Sequence, residues 1–418
     1  MHRSKLLSLD EAIEKIKLNF TKISSEDIFL QSAVGRCLSE PIISKRDNPS
    51  FDVSSMDGYA INYNDYNVLS LKSKNNDFVS LKITGESSAG SPYRKKMKCG
   101  ETIRIFTGAK LPLGSDSVII QENVTNGKND NYIITKAIVK KHQNIRKKGL
   151  DLKKNQSVLP KGTILNSRHI GSIAMTGNVW VTVTRKPIIS ILSSGNEISK
   201  VGEQLTDDQI PSGNNLMLAS MISELGGIPR ILPIADDNEL NIFNIINDAL
   251  DSDLILTTGG VSVGKYDLIQ KTLLNFKSKN SNEFWKIAMR PGKPLMFSKI
   301  DNTPLLGLPG NPVSSGVCAL IFLNIAIKTM LGTISTFPDF ENVILEGFLK
   351  KNDERMDFIR AKIKNQNGYL FAIPFERQDS SMIHQFSLAD CLILRNPFEK
   401  ENKHGDEIKI IRFPNNIS

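Results

Sequence analysis

The stretch DLILTTGGVSVGKYD, residues 253–267, restricts what this chain can fold into more than any other. Its apolar start reads as a buried strand, and Gly259, Gly260 and Gly264 then allow backbone angles and close approach that a side chain would block. From Asp267 the spacing of Leu268, Ile269, Thr272 and Leu273 predicts a helix, so the loop amides would meet a ligand at the positive end of a helix dipole. An oxyanion suits such a place. Gly259, Gly264 and Lys265 also satisfy a phosphate-loop pattern up to its last position, where Tyr266 replaces the magnesium-holding hydroxyl, which argues against a nucleoside triphosphatase. Taken alone, the glycines are also compatible with a bare turn between strand and helix.

A chain of 418 residues exceeds one ordinary core, so several domains are expected, and 40% hydrophobic with 23% charged residues is an ordinary globular composition. The run at 317–327 is broken by Asn324 and is shorter than a bilayer span, so no membrane helix is expected. The first residues lack the apolar core of a secretory signal, and a cytoplasmic location follows as an expectation. Cys37, Cys99, Cys318 and Cys391 are scattered without metal-ligand spacing, which points to neither a zinc site nor a disulfide framework. His169 and His384 read as structural or surface residues. The net charge of +9 carries no interleaved aromatics in its runs at 94–98 and 146–148, so no nucleic-acid partner is expected.

Residues 8–20 read as an amphipathic helix with Ala12, Ile13, Ile16 and Phe20 on one side and a capping box of Ser8 and Glu11. In RDNPSFDVSSMDGYAI, Pro49 and the pair Asp57 and Gly58 mark a turn crowded with Ser50, Asp52, Ser54 and Ser55. Short alternating runs from 62 to about 142 predict a small β domain with helices largely absent, and Thr107 and Gly108 follow one of its strands. NIRKKGLDL then sets Arg146, Lys147 and Lys148 ahead of Gly149 and Asp151, with further strands to Thr184. The first helix and these later strands are expected to pack together, which makes the β domain an insertion.

From Lys186 strands and helices alternate, predicting a parallel sheet covered on both faces, with Leu218, Met221, Ile222 and Leu225 as a core-facing helix stripe. Ligands of open α/β sheets collect at the carboxyl ends of strands. Those ends carry Ser194, Gly195 and Glu197, then Asp236 and Asp237, then the glycine loop with Asp267. WKIAMRPGKPLMF adds Lys286, Arg290 and Lys293 around the corner Pro291 and Gly292, and LLGLPGNPVS leads through Pro309, Gly310, Asn311 and Pro312 into a helix beginning near Val313. Acids and cations around one crevice suit a phosphate or oxyanion with magnesium. Beyond 336 the chain returns to strands, predicting a small barrel or sandwich. The fold class is therefore α/β plus β and multidomain. A discontinuous N-terminal domain covers 1–46 and 143–184, the inserted β domain 47–142, a doubly wound α/β domain 185–333, and a C-terminal β barrel 334–418.

Six ordered motifs, SSMDGYA, IFTGA, SSGNE, TTGGVSVGKYD, RPGKP and GLPGNPVS, resemble the molybdopterin molybdenumtransferase family, whose relatives include the E domain of gephyrin. The resemblance spans essentially the whole chain. It implies a four-part elongated homodimer that takes adenylylated molybdopterin and molybdate, with Mg2+, and yields molybdenum cofactor and AMP. Other proteins of cofactor biosynthesis are implied as further partners. The family's functional acids fall on Asp57, Asp151, Glu197, Asp236 and Asp267, its threonine on Thr107, and the magnesium on Asp267 and Glu197. Substrate contacts are implied for Ser194, Gly195, Gly259, Gly260, Ser262, Gly264, Lys286, Arg290, Pro291, Gly292, Lys293, the 309–312 turn, Arg360 and Ser380. Arg290 stands where relatives often carry lysine, and Asn196 where they often carry aspartate. A non-catalytic scaffold, or a nucleotide-cleaving enzyme sharing only the α/β part, are the rival readings.

Overall fold

A computed structural model describes residues 6–73, 78–127, 131–259, 268–276, 281–335 and 339–413, with the backbone alone at 281–285. At its centre lies a six-stranded sheet in the order Ile228–Ile231, Ile188–Ser193, Leu254–Thr258, Thr303–Leu308, Pro294–Ile300, Ser281–Lys286. The first four strands run parallel. The last two are antiparallel to their neighbours, which the alternation of strand and helix patterns did not foretell. Leu254–Thr258 is buried at every position, as a strand covered on both faces must be. Gly213–Glu224 and the long helix Pro312–Leu331 cover one face, and Glu239–Asp248 with Leu268–Leu273 cover the other.

Pro312–Leu331 is 20 residues long with a mean hydropathy of 1.7, because the helix runs straight through Asn324 instead of breaking there. Length and composition alone would suit a bilayer, but 89% of its most apolar 18-residue stretch is buried inside the protein, so it is the core helix on which other elements rest. One of them is the first helix, Leu9–Asn19, which carries the expected capping box, with Glu11 N donating to Ser8 Oγ at 3.2 Å and Ser8 N to the Glu11 carboxylate at 2.7 Å. Its stripe of Leu9, Ala12, Ile13 and Ile16 joins the α/β core, and Phe20 meets Phe297 edge-on at 6.2 Å. The expected packing of this helix on the later N-terminal strands is thus corrected. Those strands have a core of their own around Leu30, Leu38, Ile42, Leu165, Ile173, Val181 and Val183.

Outgoing and returning segments pair antiparallel: Ser25–Phe29 with Trp180–Thr184, Ile42–Ile43 with Ser157–Leu159, and Val53–Ser54 with Ile145–Arg146. Ion pairs of Lys147 with Asp52 at 2.9 Å and Lys148 with Asp47 at 3.2 Å brace the neck. Beyond it stands a second six-stranded sheet, Ser117–Ile120, Gly58–Ile61, Glu101–Ile105, Val79–Ser87, Tyr132–Thr135, Val124–Asn126. A helix, Tyr63–Lys72, also lies here, where helices were expected to be largely absent. Only Tyr66 of it is buried, so it leaves no apolar stripe to read, although Asn62 caps it by accepting from Asp65 N at 3.1 Å.

The C-terminal strands close into a barrel: Met356–Gln366, Tyr369–Pro374, Glu341–Leu345, Glu407–Arg412 and Cys391–Arg395, the last returning to the first. Closure removes the free edges that a sandwich would have to protect. Phe358, Leu392, Leu394 and Ile411 extend from it into the α/β core.

Gly58 illustrates how one residue sets a sheet. A Cβ there would lie 2.0 Å from the Ile119 carbonyl oxygen of the neighbouring strand. Gly58→Ala is therefore expected to destabilise the inserted sheet by about 3 kcal/mol, read as a lowered midpoint of thermal unfolding. An unchanged midpoint would refute the close approach.

Candidate active site

At the carboxyl ends of the parallel strands the described residues enclose a cleft of about 1130 Å³. Ser193, Ser194, Thr258 and Gly259 form its floor at the strand ends, and Pro309, Gly310, Asn311 and Pro312 form the turn into the core helix. Ser381, Ile383, Phe386, Ser387 and Phe413 close it from the barrel side. One wall is thus hydroxyl and amide, while Ile210, Met217, Ile383, Phe386 and Phe413 make the other apolar. Glu197 is the one charged side chain among the described lining residues.

Two helices start at the cleft, Gly213–Glu224 and Pro312–Cys318; in the second Pro312 has no N–H and Val313 N donates to the Ser380 carbonyl at 3.2 Å. Ser212, buried at the cap position of the first, has an Oγ without a hydrogen-bond partner among the described residues. Asn214 Nδ2 donates to Thr258 Oγ1 at 3.1 Å and to the Gly310 carbonyl at 2.8 Å, tying three loops together. Gly259 has φ +88, which a side chain rarely adopts, and so turns the chain away from the strand end. The described floor is thus polar but carries little formal charge.

Of the residues singled out from sequence, Ser194, Glu197, Gly259, Pro309, Gly310, Asn311 and Pro312 line this one cleft. Ser380 sits at its rim, its Oγ accepting from Asn311 Nδ2 at 3.0 Å. Gly195 and Asp236 lie in loops joined to each other: Gly195 N donates to the Ala235 carbonyl at 3.2 Å, and Asp237 N to Asn196 Oδ1 at 3.2 Å. Gly260, Ser262, Gly264, Lys265, Tyr266 and Asp267 fall outside the described residues. Sequence reading missed Ser212, Gly213, Asn214 and Met217, for which PSGNN ahead of a helical stripe was the available signal. It also missed Phe386 and Phe413, which carry no local signal at all.

Asp57, Thr107 and Asp151 lie elsewhere on the chain and do not line this cleft. Thr107 donates to Asp57 Oδ1 from its backbone N at 2.8 Å and from Oγ1 at 2.9 Å. Those two bonds, aided by the field of Arg104, hold the Asp57 carboxyl below the usual carboxylate range. Asp151 accepts from Asn48 Nδ2 at 3.0 Å in the braced neck.

The cations expected in the crevice are placed differently. Arg290 grips Asp357 with two nitrogens, Nε at 2.6 Å and Nη2, and reaches Asp353 through Nη1 at 3.0 Å. It thereby fastens the corner of Pro291 and Gly292 to the barrel, where Met289–Arg290 pairs alongside Met356 and Asp357. A planar fork matched to a nearby carboxylate holds Arg290 at this joint, and it does not line the cleft. Lys286 is half-buried and Lys293 exposed, and neither lines the cleft. Arg360 is fully buried, with Nε on Gln378 Oε1 at 3.2 Å and Nη1 and Nη2 on the Met382 and Arg377 carbonyls, each at 3.4 Å. Burial pulls its guanidinium below its ordinary value, opposed by Asp379. It therefore props the loop carrying Ser380 from beneath.

Three family models match in sequence along the chain: the MoeA N-terminal region (domains I and II) at 7–177, a probable molybdopterin binding domain at 190–329, and the MoeA C-terminal region (domain IV) at 342–413. The molybdopterin molybdenumtransferase of Haemophilus influenzae is 33% identical over 98% of this chain and 99% of its own. The chain belongs to the MoeA family. A Nostoc molybdopterin molybdenumtransferase is 32% identical over 93% of this chain and 89% of its own. Among solved structures, a molybdopterin biosynthesis MoeA protein of Pyrococcus horikoshii superposes with a TM-score of 0.84 at 25% identity, covering 98% of this chain and 100% of that one. In this MoeA-family chain the cleft lies within the segment matched as a molybdopterin binding domain, closed by the matched C-terminal region.

If Arg290 is a strut, Arg290→Ala costs about 2 kcal/mol of stability, less than breaking a fully buried pair because its side chain is 45% exposed. Denaturant unfolding should show the loss while the molybdate requirement stays unchanged. A raised molybdate requirement with unaltered stability would return Arg290 to the substrate.

Proposed function

We propose that this chain transfers molybdenum from molybdate into adenylylated molybdopterin, releasing AMP and forming molybdenum cofactor. The observation that carries this reading is the end-to-end match to molybdopterin molybdenumtransferases, at 33% identity over 98% of the chain. A nucleotide-cleaving enzyme sharing only the α/β part would not need the N-terminal and barrel segments that match as well. The scaffold reading, in turn, does not call for a cleft with converging helix starts and an unpartnered buried hydroxyl.

The cleft's chemistry suits such substrates. A flat, partly apolar pterin finds a wall in Met217, Ile383, Phe386 and Phe413, and a phosphate or tetrahedral oxyanion finds polar lining at Ser194, Gly213, Gly310 and Asn311. Magnesium keeps most of its waters and binds through one or two carboxylates plus phosphate oxygens, so a cleft with Glu197 as its described acid fits it. Glu197 and Asp267 would hold the ion, which when bound offsets charge on the diphosphate being cleaved. Asp236, on the loop joined to that of Glu197, would orient waters around it. The dithiolene sulfurs of the pterin become the metal's ligands, and the protein's part is to position them and exclude competing donors.

Asp57 and Thr107 stand on the inserted sheet, away from the cleft of their own chain, and we assign them, with Asp151, to the site of a second copy in a homodimer. The enzyme would work in the cytoplasm, where other proteins of cofactor biosynthesis would supply its pterin.

Incubation with adenylylated molybdopterin, molybdate and Mg2+ should release AMP and form cofactor, and should release none with Asp267→Asn. Absence of AMP from the unaltered protein would overturn the assignment. For the shared site, Asp57→Ala and Asp267→Ala chains are co-expressed. Mixed dimers each keep one complete site, so activity should return to roughly a quarter of the unaltered level. A mixture that stays inactive despite verified heterodimers would place both acids in one chain.

A further inference from the structure

Arg104 lies on the strand Glu101–Ile105 beside the turn that carries Asp57. Its guanidinium is 5.0 Å from the Tyr59 ring centroid and 4.9 Å from that of Phe106. Nη2 donates to Gln121 Oε1 at 2.6 Å and Nη1 to the Gly58 carbonyl at 3.3 Å. The backbone N of Gln121 donates in turn to the Asp57 carbonyl at 3.1 Å. Arg104 and Gln121 thus hold the two peptide groups that flank Gly58, while Thr107 holds the Asp57 carboxylate itself.

We propose that Arg104 is a positioning residue for the Asp57–Thr107 pair, fixing the turn through the Gly58 carbonyl and through Gln121. The proposal rests on the reading of Asp57 as a functional acid. Arg104 sits between aromatic faces with two acceptors in fixed directions, a demand that a planar fork meets and a single ammonium does not. A side chain in that setting loses little freedom on binding, so it can hold a neighbouring carboxylate to within a few tenths of an ångström. Displacement of a reacting group by about 1 Å costs on the order of 100-fold in rate. A holder of that turn therefore acts on turnover more than on substrate affinity.

AMP release by the full-length protein with adenylylated molybdopterin, molybdate and Mg2+ tests this. Arg104→Ala should lower kcat by about 10- to 100-fold with little change in KM, and Arg104→Lys should restore only a minor part of the loss. Gln121→Ala, which leaves the stacked guanidinium in place, should cause a smaller loss in kcat. The double variant Arg104→Ala with Gln121→Ala should be no worse than Arg104→Ala alone, because the two act through one turn. In an Asp57→Asn background, Arg104→Ala should add no further loss. Multiplicative losses in either double variant, full recovery with lysine, or a loss confined to KM would overturn the proposal. Should Arg104→Ala fail to fold, as judged by its thermal unfolding, Arg104→Lys decides, because it keeps the charge but loses the fork that reaches both the Gly58 carbonyl and Gln121: unaltered kcat refutes the clamp. If Asp57→Asn turns over normally, it is the reading of Asp57 that falls, which is a distinct outcome.

Discussion

Burial of one helix organises this molecule. Pro312–Leu331 could not be left in water at a mean hydropathy of 1.7, and hiding it requires apolar surface from every side. The sheet supplies Ile191, Leu256, Leu306 and Leu308, the first helix Ile13 and Ile16, Gly213–Glu224 adds Leu218 and Ile222, and the barrel contributes Phe358 and Leu392. The α/β layer, the N-terminal helix and the barrel therefore share one core. Because the cleft lies where that helix begins, between the strand ends and the barrel, packing and site geometry have a common origin.

Paired charges brace the joints around this core, and Glu197 is the one charged side chain among the described residues lining the cleft. Arg185 makes a bidentate pair with Asp253 at 2.6 Å per bond, Arg230 pairs with Asp251, Arg290 with Asp357 and Arg412 with Glu341. Each fixes a joint between elements. An anion entering the cleft meets polar lining groups that are already in place and need not reorganise around it.

Local signals in the sequence were read correctly where a residue's role depends on its near neighbours. The strand ending at Thr258 and the helix from Leu268, the capping box of Ser8 and Glu11, the turn that opens the helix at Pro312, and the five barrel strands all follow from periodicity and turn chemistry over a few residues. Family resemblance singled out Asp57 and Thr107 separately, but not their joining, since donor and acceptor lie fifty residues apart in sequence. The helix Tyr63–Lys72 escaped notice because a helix that buries Tyr66 alone writes no stripe. The pairing of Arg290 was not legible because its partners, Asp353 and Asp357, lie in another part of the chain and come near only when the barrel docks.

By itself the sequence determined the kinds of element, their order and the family, because helix and strand periods, caps and glycine turns act over distances of a few residues. Only the tertiary structure decided which side chains share a space. It brought Ser212 and Asn214 to the strand ends, set Phe386 and Phe413 opposite them, and drew Arg360 under the loop of Ser380. It also moved the first helix onto the α/β core instead of the strands that follow it. The physical reason is that burial and ion pairing are blind to separation along the chain: an apolar stripe or a guanidinium settles on whichever partner the complete fold presents, and no local pattern names that partner.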